Sequence, residues 1–196
     1  MQSVIEKKSL LRQQMLLKRR AYVENLTAED KLKASLRVSD QLLAFFSLQS
    51  LVIACYIPFW DELDPQPLMH TYLEVGCKIA LPVVDEDHSL TFRQWTPETP
   101  LIKSSFGIMV PPENSPPLDP DVFLIPLVAF DTSGQRLGYG RGHYDRTLKS
   151  LRPTKNIIAI GLAYDMQRID LIPPESTDQR LDGIITEKQI YQVTIL

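Results

Sequence analysis

The sequence predicts an α/β fold: a three-layer sandwich with a mostly parallel central sheet and helices on both faces. Strand-sized apolar runs alternate with amphipathic segments along the 196 residues. Most of those runs are apolar throughout, as strands covered on both faces must be, whereas a half-exposed strand would alternate. One of them, Val122 to Phe130, also runs into a glycine-rich stretch that opens onto a helix. At this length one domain spanning residues 1–196 is expected.

Each element has its own signal. Ser3 to about Val23 reads as a helix, because Val4, Leu11, Met15 and Tyr22 return to one face. Thr27 and Asp30 have capping-box spacing for a second helix running to about Phe46. Leu51 to Ile57 is a β-branched apolar run, an interior strand stopped by Pro58, and Pro65 suits the first turn of a helix through Leu73. Lys78 to Val84 and Leu90 to Trp95 read as strands around the turn-like Asp85–Ser89. Thr96 to Pro120, crowded with prolines, reads as ordered coil. Val122 to Phe130, Ile157 to Tyr164 and Gly183 to Thr186 complete the strands, with a helix from Tyr144 near Leu151.

Composition excludes several classes. Net charge is −3, which gives no reason to expect a nucleic-acid partner. No apolar run is long enough to span a membrane, and the charged first residues do not read as a secretion signal. Cys55 and Cys77 lie in apolar segments and, with three scattered histidines, make neither zinc spacing nor a disulfide framework. A soluble cytoplasmic protein, monomeric and with reduced thiols, is the expectation.

The chemistry concentrates after Phe130. Gly138, Gly140 and Gly142 alternate between Arg136, Arg141 and Arg146, with Asp145 beside them. Such a turn exposes backbone N–H groups and lets a polyanion approach the main chain. Arginine forks suit phosphate oxygens, and a carboxylate at the loop edge suits Mg²⁺ bridging phosphates. The dinucleotide pattern would need glycine at His143, no Gly-Lys pair supports a Walker loop, and kinase motifs are absent. The stretch therefore reads as a phosphate site for a nucleotide, against the alternative of a solvated glycine-rich turn.

In parallel sheets ligands gather beyond the carboxyl ends of the strands, so three regions should converge: those after Ile57, after Phe130 and after Tyr164. Lys8 falls within the apolar stripe of the first helix, with Arg12 one turn on; it either snorkels to solvent or reaches a bound anion. Arg19 and Arg20 read as its solvated face. Trp60-Asp61-Glu62 follows the first strand and could hydrogen-bond an amino-heterocycle, or simply begin a helix in solvent. Asp178 or Asp182 could join Asp145 at a metal, or be a turn aspartate.

Phe130 to Leu148 closely resembles the signature F-D-x-x-G-x-R-L-G-x-G-x-G-Y-Y-D-x-x-L of the 5-formyltetrahydrofolate cyclo-ligase family, also called 5,10-methenyltetrahydrofolate synthetases. Lys8 and Arg12, Asp61-Glu62, Phe106-Gly107-Ile108 and Asp178 agree as well, so the resemblance runs nearly end to end. It implies a Rossmann-like arrangement and ATP- and Mg²⁺-dependent closure of 5-formyltetrahydrofolate, polyglutamylated or not, through phosphorylation of the formyl oxygen. It implies ATP contacts from Lys8, Arg12, Arg136, Gly138, Tyr139, Gly140, Arg141, Gly142, His143, Tyr144, Asp145 and Arg146. Ile57 and Glu62 would hold the pterin, helped by Tyr139 to His143; Arg136, Arg141 and Tyr144 would be catalytic; Asp145 and Asp178 would carry Mg²⁺. Position 143, usually tyrosine in the family, is histidine here. A binding module that senses phosphorylated metabolites without catalysis is the alternative reading.

Overall fold

Ser3 starts the first helix, α1 (Val4–Glu24), through a capping box: its hydroxyl accepts from the Glu6 amide at 3.2 Å while Glu6 accepts from its own amide at 2.9 Å. Thr27 and Asp30 do the same for α2 (Ala28–Phe45), as their spacing predicts. These elements belong to a computed structural model that describes residues 3–45, 50–104 and 107–192. Phe46 and Phe106, both named above, lie outside the described residues.

The chain continues through β1 (Val52–Ala54), α3 (Gln66–Glu74), β2 (Lys78–Val84) and β3 (Leu90–Trp95). The short strands β4 (Ile102–Lys103) and β5 (Met109–Val110) form a hairpin within the segment expected to be coil. Then come β6 (Val122–Pro126), the hairpin strands β7 (Ala129–Phe130) and β8 (Arg136–Leu137), and α4 (His143–Leu151). Strands β9 (Ile158–Ala163), β10 (Gly183–Thr186) and β11 (Ile190–Gln192) finish it, the last unanticipated by the sequence reading.

Seven strands form one sheet in the order β11-β10-β9-β6-β1-β2-β3. The five inner strands are mutually parallel, and β3 and β11 pair antiparallel at the edges. Both faces are covered. Ile53, Ile79, Leu81, Val122, Leu124, Ile160 and Leu162 pack with Val38 and Leu42 of α2 and with Leu68, Met69 and Tyr72 of α3. Their neighbours along the same strands, such as Ala54, Ala80, Phe123, Ile125 and Ala159, pack with Leu148 of α4 on the other face. The period-two alternation thus separates two apolar layers, which explains why these strands are apolar throughout. The predicted α/β class is the observed one.

Two strand predictions need correction. The first strand is shorter than Leu51–Ile57, although the Cys55 amide still donates to Ala80 O at 2.9 Å. Val122–Phe130 is two strands, because Pro126 has no N–H to continue the ladder and the chain turns off the sheet at Leu127–Val128 into the β7–β8 hairpin. Pro65 stands at the N-cap of α3, with Pro67 in its first turn.

Candidate active site

Strand β1 leads outward to β2, and β6 leads the opposite way to β9, so their carboxyl ends diverge at a topological switch point. The segments leaving them, Cys55–Glu62 and Leu127 onward, border one crevice. Helix α1 packs along this end of the sheet: Met15 lies against Val128, Ala129, Leu137 and Ile172.

The face α1 presents is partly basic. Lys8, Met15, Arg19 and Val23 are its buried residues. Lys8 Nζ donates to Glu175 Oε2 at 2.7 Å and Asp178 Oδ2 at 2.5 Å, so it does not snorkel to solvent, and the anions it reaches here are the protein's own carboxylates. Arg12 Nε donates to Gly138 O at 2.6 Å, and its guanidinium covers Gly140, where an added Cβ would stand 3.2 Å from the guanidinium carbon. Burial holds Arg12 below its usual value, opposed by the negative charge of Glu175. Arg19 corrects the sequence reading: far from solvated, it is 0% exposed. It donates to Leu127 O at 3.1 Å, Asp61 Oδ1 at 2.9 Å and the Tyr139 hydroxyl at 2.8 Å.

The stretch after Phe130 divides into a rigid hairpin and a loop. Asp131, buried, ties the hairpin turn by accepting from the Ser133 and Gln135 amides and from the Ile172 amide at 2.9 Å. The loop proper is Gly138–Gly142. Gly140 and Gly142 have φ of 91° and 68°, where a β-carbon is strained. Gly142 opens α4, whose first amides point into the loop. Arg136 bonds Gln179 O and Asp145 Oδ1, the latter at 2.8 Å, and the Gln179 amide donates to the same Asp145 oxygen at 2.9 Å.

Other loop residues look elsewhere. The His143 ring meets His88 O at 2.7 Å, and Arg146 donates to His88 O and Arg141 O, so both brace the β2–β3 turn. Arg141 is exposed. The structure therefore brings Lys8, Arg12, Arg136, Asp145 and Asp178 to one side of the loop and sets His143 and Arg146 on the other.

Beyond β1 lies the second half of the crevice. Glu62 Oε2 accepts from the Phe59 amide at 2.8 Å. Burial pushes its carboxyl up to about 7, against the pull of that amide, Arg19 and Tyr139. Burial and Glu62 together raise the Tyr139 phenol to about 12. Burial and the nearby Glu62 also raise the Tyr144 phenol. Ile57 is half-buried against the core beside them. Trp60, 81% exposed and at φ 55°, stacks on Phe59, which meets Tyr139 edge-on at 6.1 Å. The solvated-helix-start alternative for Asp61-Glu62 is thereby removed: one carboxylate pairs with a buried arginine and the other is buried.

Asp182 accepts from the Ala159 amide at 2.8 Å at the amino end of β9, away from the crevice, and is a turn aspartate. Asp145 fits a hard cation better. Both its described bonds fall on Oδ1, leaving Oδ2 for a metal. Among the described residues no three His, Cys, Asp or Glu gather into a metal group, so a cation here would take most of its oxygens from phosphates and water, which is the habit of Mg²⁺. Asp178 would first have to share the oxygen it gives Lys8.

Sequence reasoning missed Arg19, Glu175 and the Phe59–Trp60 pair. For Arg19 the signal existed: positions 8, 12, 15, 19 and 23 follow one helical stripe, so the argument that singled out Lys8 covered it too.

Fold and site together define an α/β protein with a glycine loop, arginines and carboxylates gathered at its switch point. Its relatives make this specific: the sequence profile of the 5-formyltetrahydrofolate cyclo-ligase family matches residues 4–187, and the chain belongs to that family, a family of ligases. It is 35% identical over 181 residues to the 5-formyltetrahydrofolate cyclo-ligase of Haemophilus influenzae, covering 89% of this chain and 96% of that one. The Escherichia coli cyclo-ligase is 34% identical over 146 residues, 71% of this chain and 80% of its own. The solved 5,10-methenyltetrahydrofolate synthetase of Aquifex aeolicus superposes with a TM-score of 0.78 at 31% identity, covering 96% of this chain and 94% of the other. No helix among the described residues is long and apolar enough to cross a membrane.

Proposed function

We propose that the protein converts 5-formyltetrahydrofolate to 5,10-methenyltetrahydrofolate with ATP and Mg²⁺, releasing ADP and phosphate. The observation that best supports this reading is the reach of Arg12 from α1 across the glycine loop to Gly138 O, with Lys8 one turn back on the same helix and Arg136 just before the loop. Three cations over a glycine loop make a polyphosphate cradle. The protein works as a cytoplasmic monomer on folates with or without a polyglutamate tail.

The formyl group is an amide on N5, and its oxygen is a poor leaving group. Transfer of the γ-phosphoryl breaks the bond to the β-phosphate oxygen and forms one to the formyl oxygen. N10 then attacks the formyl carbon, the carbon–oxygen bond breaks, inorganic phosphate leaves and the N10 proton passes to solvent. This needs positioning and charge stabilisation, with no protein nucleophile. Lys8, Arg12 and Arg136 hold the phosphates, and Arg136, Arg141 and Tyr144 face the transferred group. Glu62 and the backbone near Ile57 hold the pterin, with the loop backbone from Tyr139 to His143 lining both substrates. Asp145 with Asp178 would hold Mg²⁺, which would supply positive charge against that of the phosphates. The test is incubation with ATP, Mg²⁺ and 5-formyltetrahydrofolate, following methenyl absorbance and phosphate together. Equal yields of the two support the reading; full-rate product without ATP, or binding without product, overturns it.

A further inference from the structure

We propose that Arg19 is a positioning residue for the folate half of the site, setting the place of Tyr139 and of the Asp61-Glu62 corner from the floor of the crevice. The inference rests on the cyclo-ligase reading above.

Arg19 joins three segments that nothing local holds together. Its Nη1 donates to Leu127 O, the first carbonyl after β6, at 3.1 Å. Its Nη2 donates both to Asp61 Oδ1 in the loop after β1, at 2.9 Å, and to the Tyr139 hydroxyl of the glycine loop, at 2.8 Å. One nitrogen thus fixes Tyr139 and Asp61 relative to each other, and the planar fork fixes both relative to the end of β6. These are the two strand ends that diverge at the switch point, with the glycine loop spanning them. The guanidinium carbon also lies 5.9 Å from the Tyr139 ring centroid, so the ring is located as well as its hydroxyl. Tyr139 nevertheless remains 37% exposed: its tip is held and its flank is open to a ligand.

Burying an ion pair is costly, and apolar side chains of similar volume in place of both partners often stabilise a core as well or better. An arginine that bonds across the ligand crevice, on a helix carrying other phosphate-side cations, is explained by the geometry it imposes. Glu62 follows Asp61 directly and feels the same charge, since Arg19 helps hold its carboxyl down against burial. Loss of Arg19 would therefore disturb Tyr139 and Glu62 together while leaving Lys8, Arg12 and Arg136 in place.

The test is a double-mutant cycle on initial rates, with Arg19→Lys, Tyr139→Phe and the pair together. Each single variant should raise KM for 5-formyltetrahydrofolate about tenfold, the scale of one lost charge-assisted bond, with a smaller change in KM for ATP. The pair should cost less than the sum of the two single variants, because both remove the Arg19–Tyr139 bond. A merely structural arginine would lower the active fraction, and so kcat, without moving the folate KM. Additive effects, or an unmoved folate KM in folded Arg19→Lys, overturn the proposal. If Arg19→Lys does not fold, Asp61→Asn loosens the same clamp from its partly exposed end: a raised folate KM supports the proposal and an unchanged one overturns it. Active wild type with unmoved variants rejects this inference alone; wild type that forms no methenyl product rejects the cyclo-ligase reading.

Discussion

Lys8 and Arg19 lie on the same buried face of α1, but their surroundings differ in kind. Lys8 meets two carboxylates, Glu175 and Asp178, from a segment following β9. Arg19 meets a carbonyl, a phenol and one carboxylate from three different segments. Two negative charges against one ammonium can be exchanged for phosphate, or shared with a divalent cation, at modest cost. Arg19 has partners that no ligand needs to displace. Under the proposed function one helix therefore carries a substrate-responsive end and a fixed end, and the difference lies in the charge and number of the partners, since both cations are buried.

The sharpest way to break that comparison is to remove the fixed cation. Arg19→Met should destabilise the fold by about 2–4 kcal/mol, because the largely buried Asp61 carboxylate loses its partner. Urea unfolding of the two proteins checks this, and a loss no larger than for Lys8→Met would erase the contrast.

The second effect belongs to the same end and is read by pH. Glu62 rises from 4.5 in the unfolded chain to about 7 when folded, so between those values the folded protein holds a proton that the unfolded one has released. Stability from this group is complete below the lower value and falls as pH rises to the upper one, by up to about 3 kcal/mol. Glu62→Gln should flatten that slope; parallel stability curves for the two proteins from acid to neutral pH would contradict it.

At the responsive end, Lys8→Ala should weaken ATP binding by about 1–3 kcal/mol, the scale of a charge-assisted contact. Calorimetric titration decides it, and unchanged affinity would confine Lys8 to its pairs with Glu175 and Asp178. The smallest expected effect separates metal from phosphate. Asp145→Asn should raise the Mg²⁺ needed for half-maximal rate several-fold, with recovery at high Mg²⁺. Arg136→Lys should raise KM for ATP and leave the metal requirement alone. Rates against Mg²⁺ and against ATP for both variants test this, and the reverse pattern would exchange the two roles.

How much of this was legible varies with the range of the interaction involved. Lys78–Val84, Leu90–Trp95 and Gly183–Thr186 are strands with the bounds predicted from their apolar runs. The glycine loop and the convergence of strand ends were legible too, because alternate glycines and buried parallel strands leave local marks. The division of Val122–Phe130 was not: proline at 126 hinted at it, but the turn off the sheet depends on β8, ten residues later, pairing back. Nor was the short β11, whose edge position supplies little apolar signal.

The sequence by itself determined the α/β class, the glycine-rich strand–loop–helix, and the family signature, since each follows from residues close together in the chain. Only the tertiary structure decided which cations are buried and with whom. Arg19 and Arg20 are neighbours in sequence, yet one is sealed beneath the crevice while the other pairs with Glu24 in solvent. The physical reason is that a side chain's burial depends on what packs across its helix face. For Arg19 that means the end of β6, the corner after β1 and Tyr139, segments from 42 to 120 residues away that meet only when the sheet is assembled.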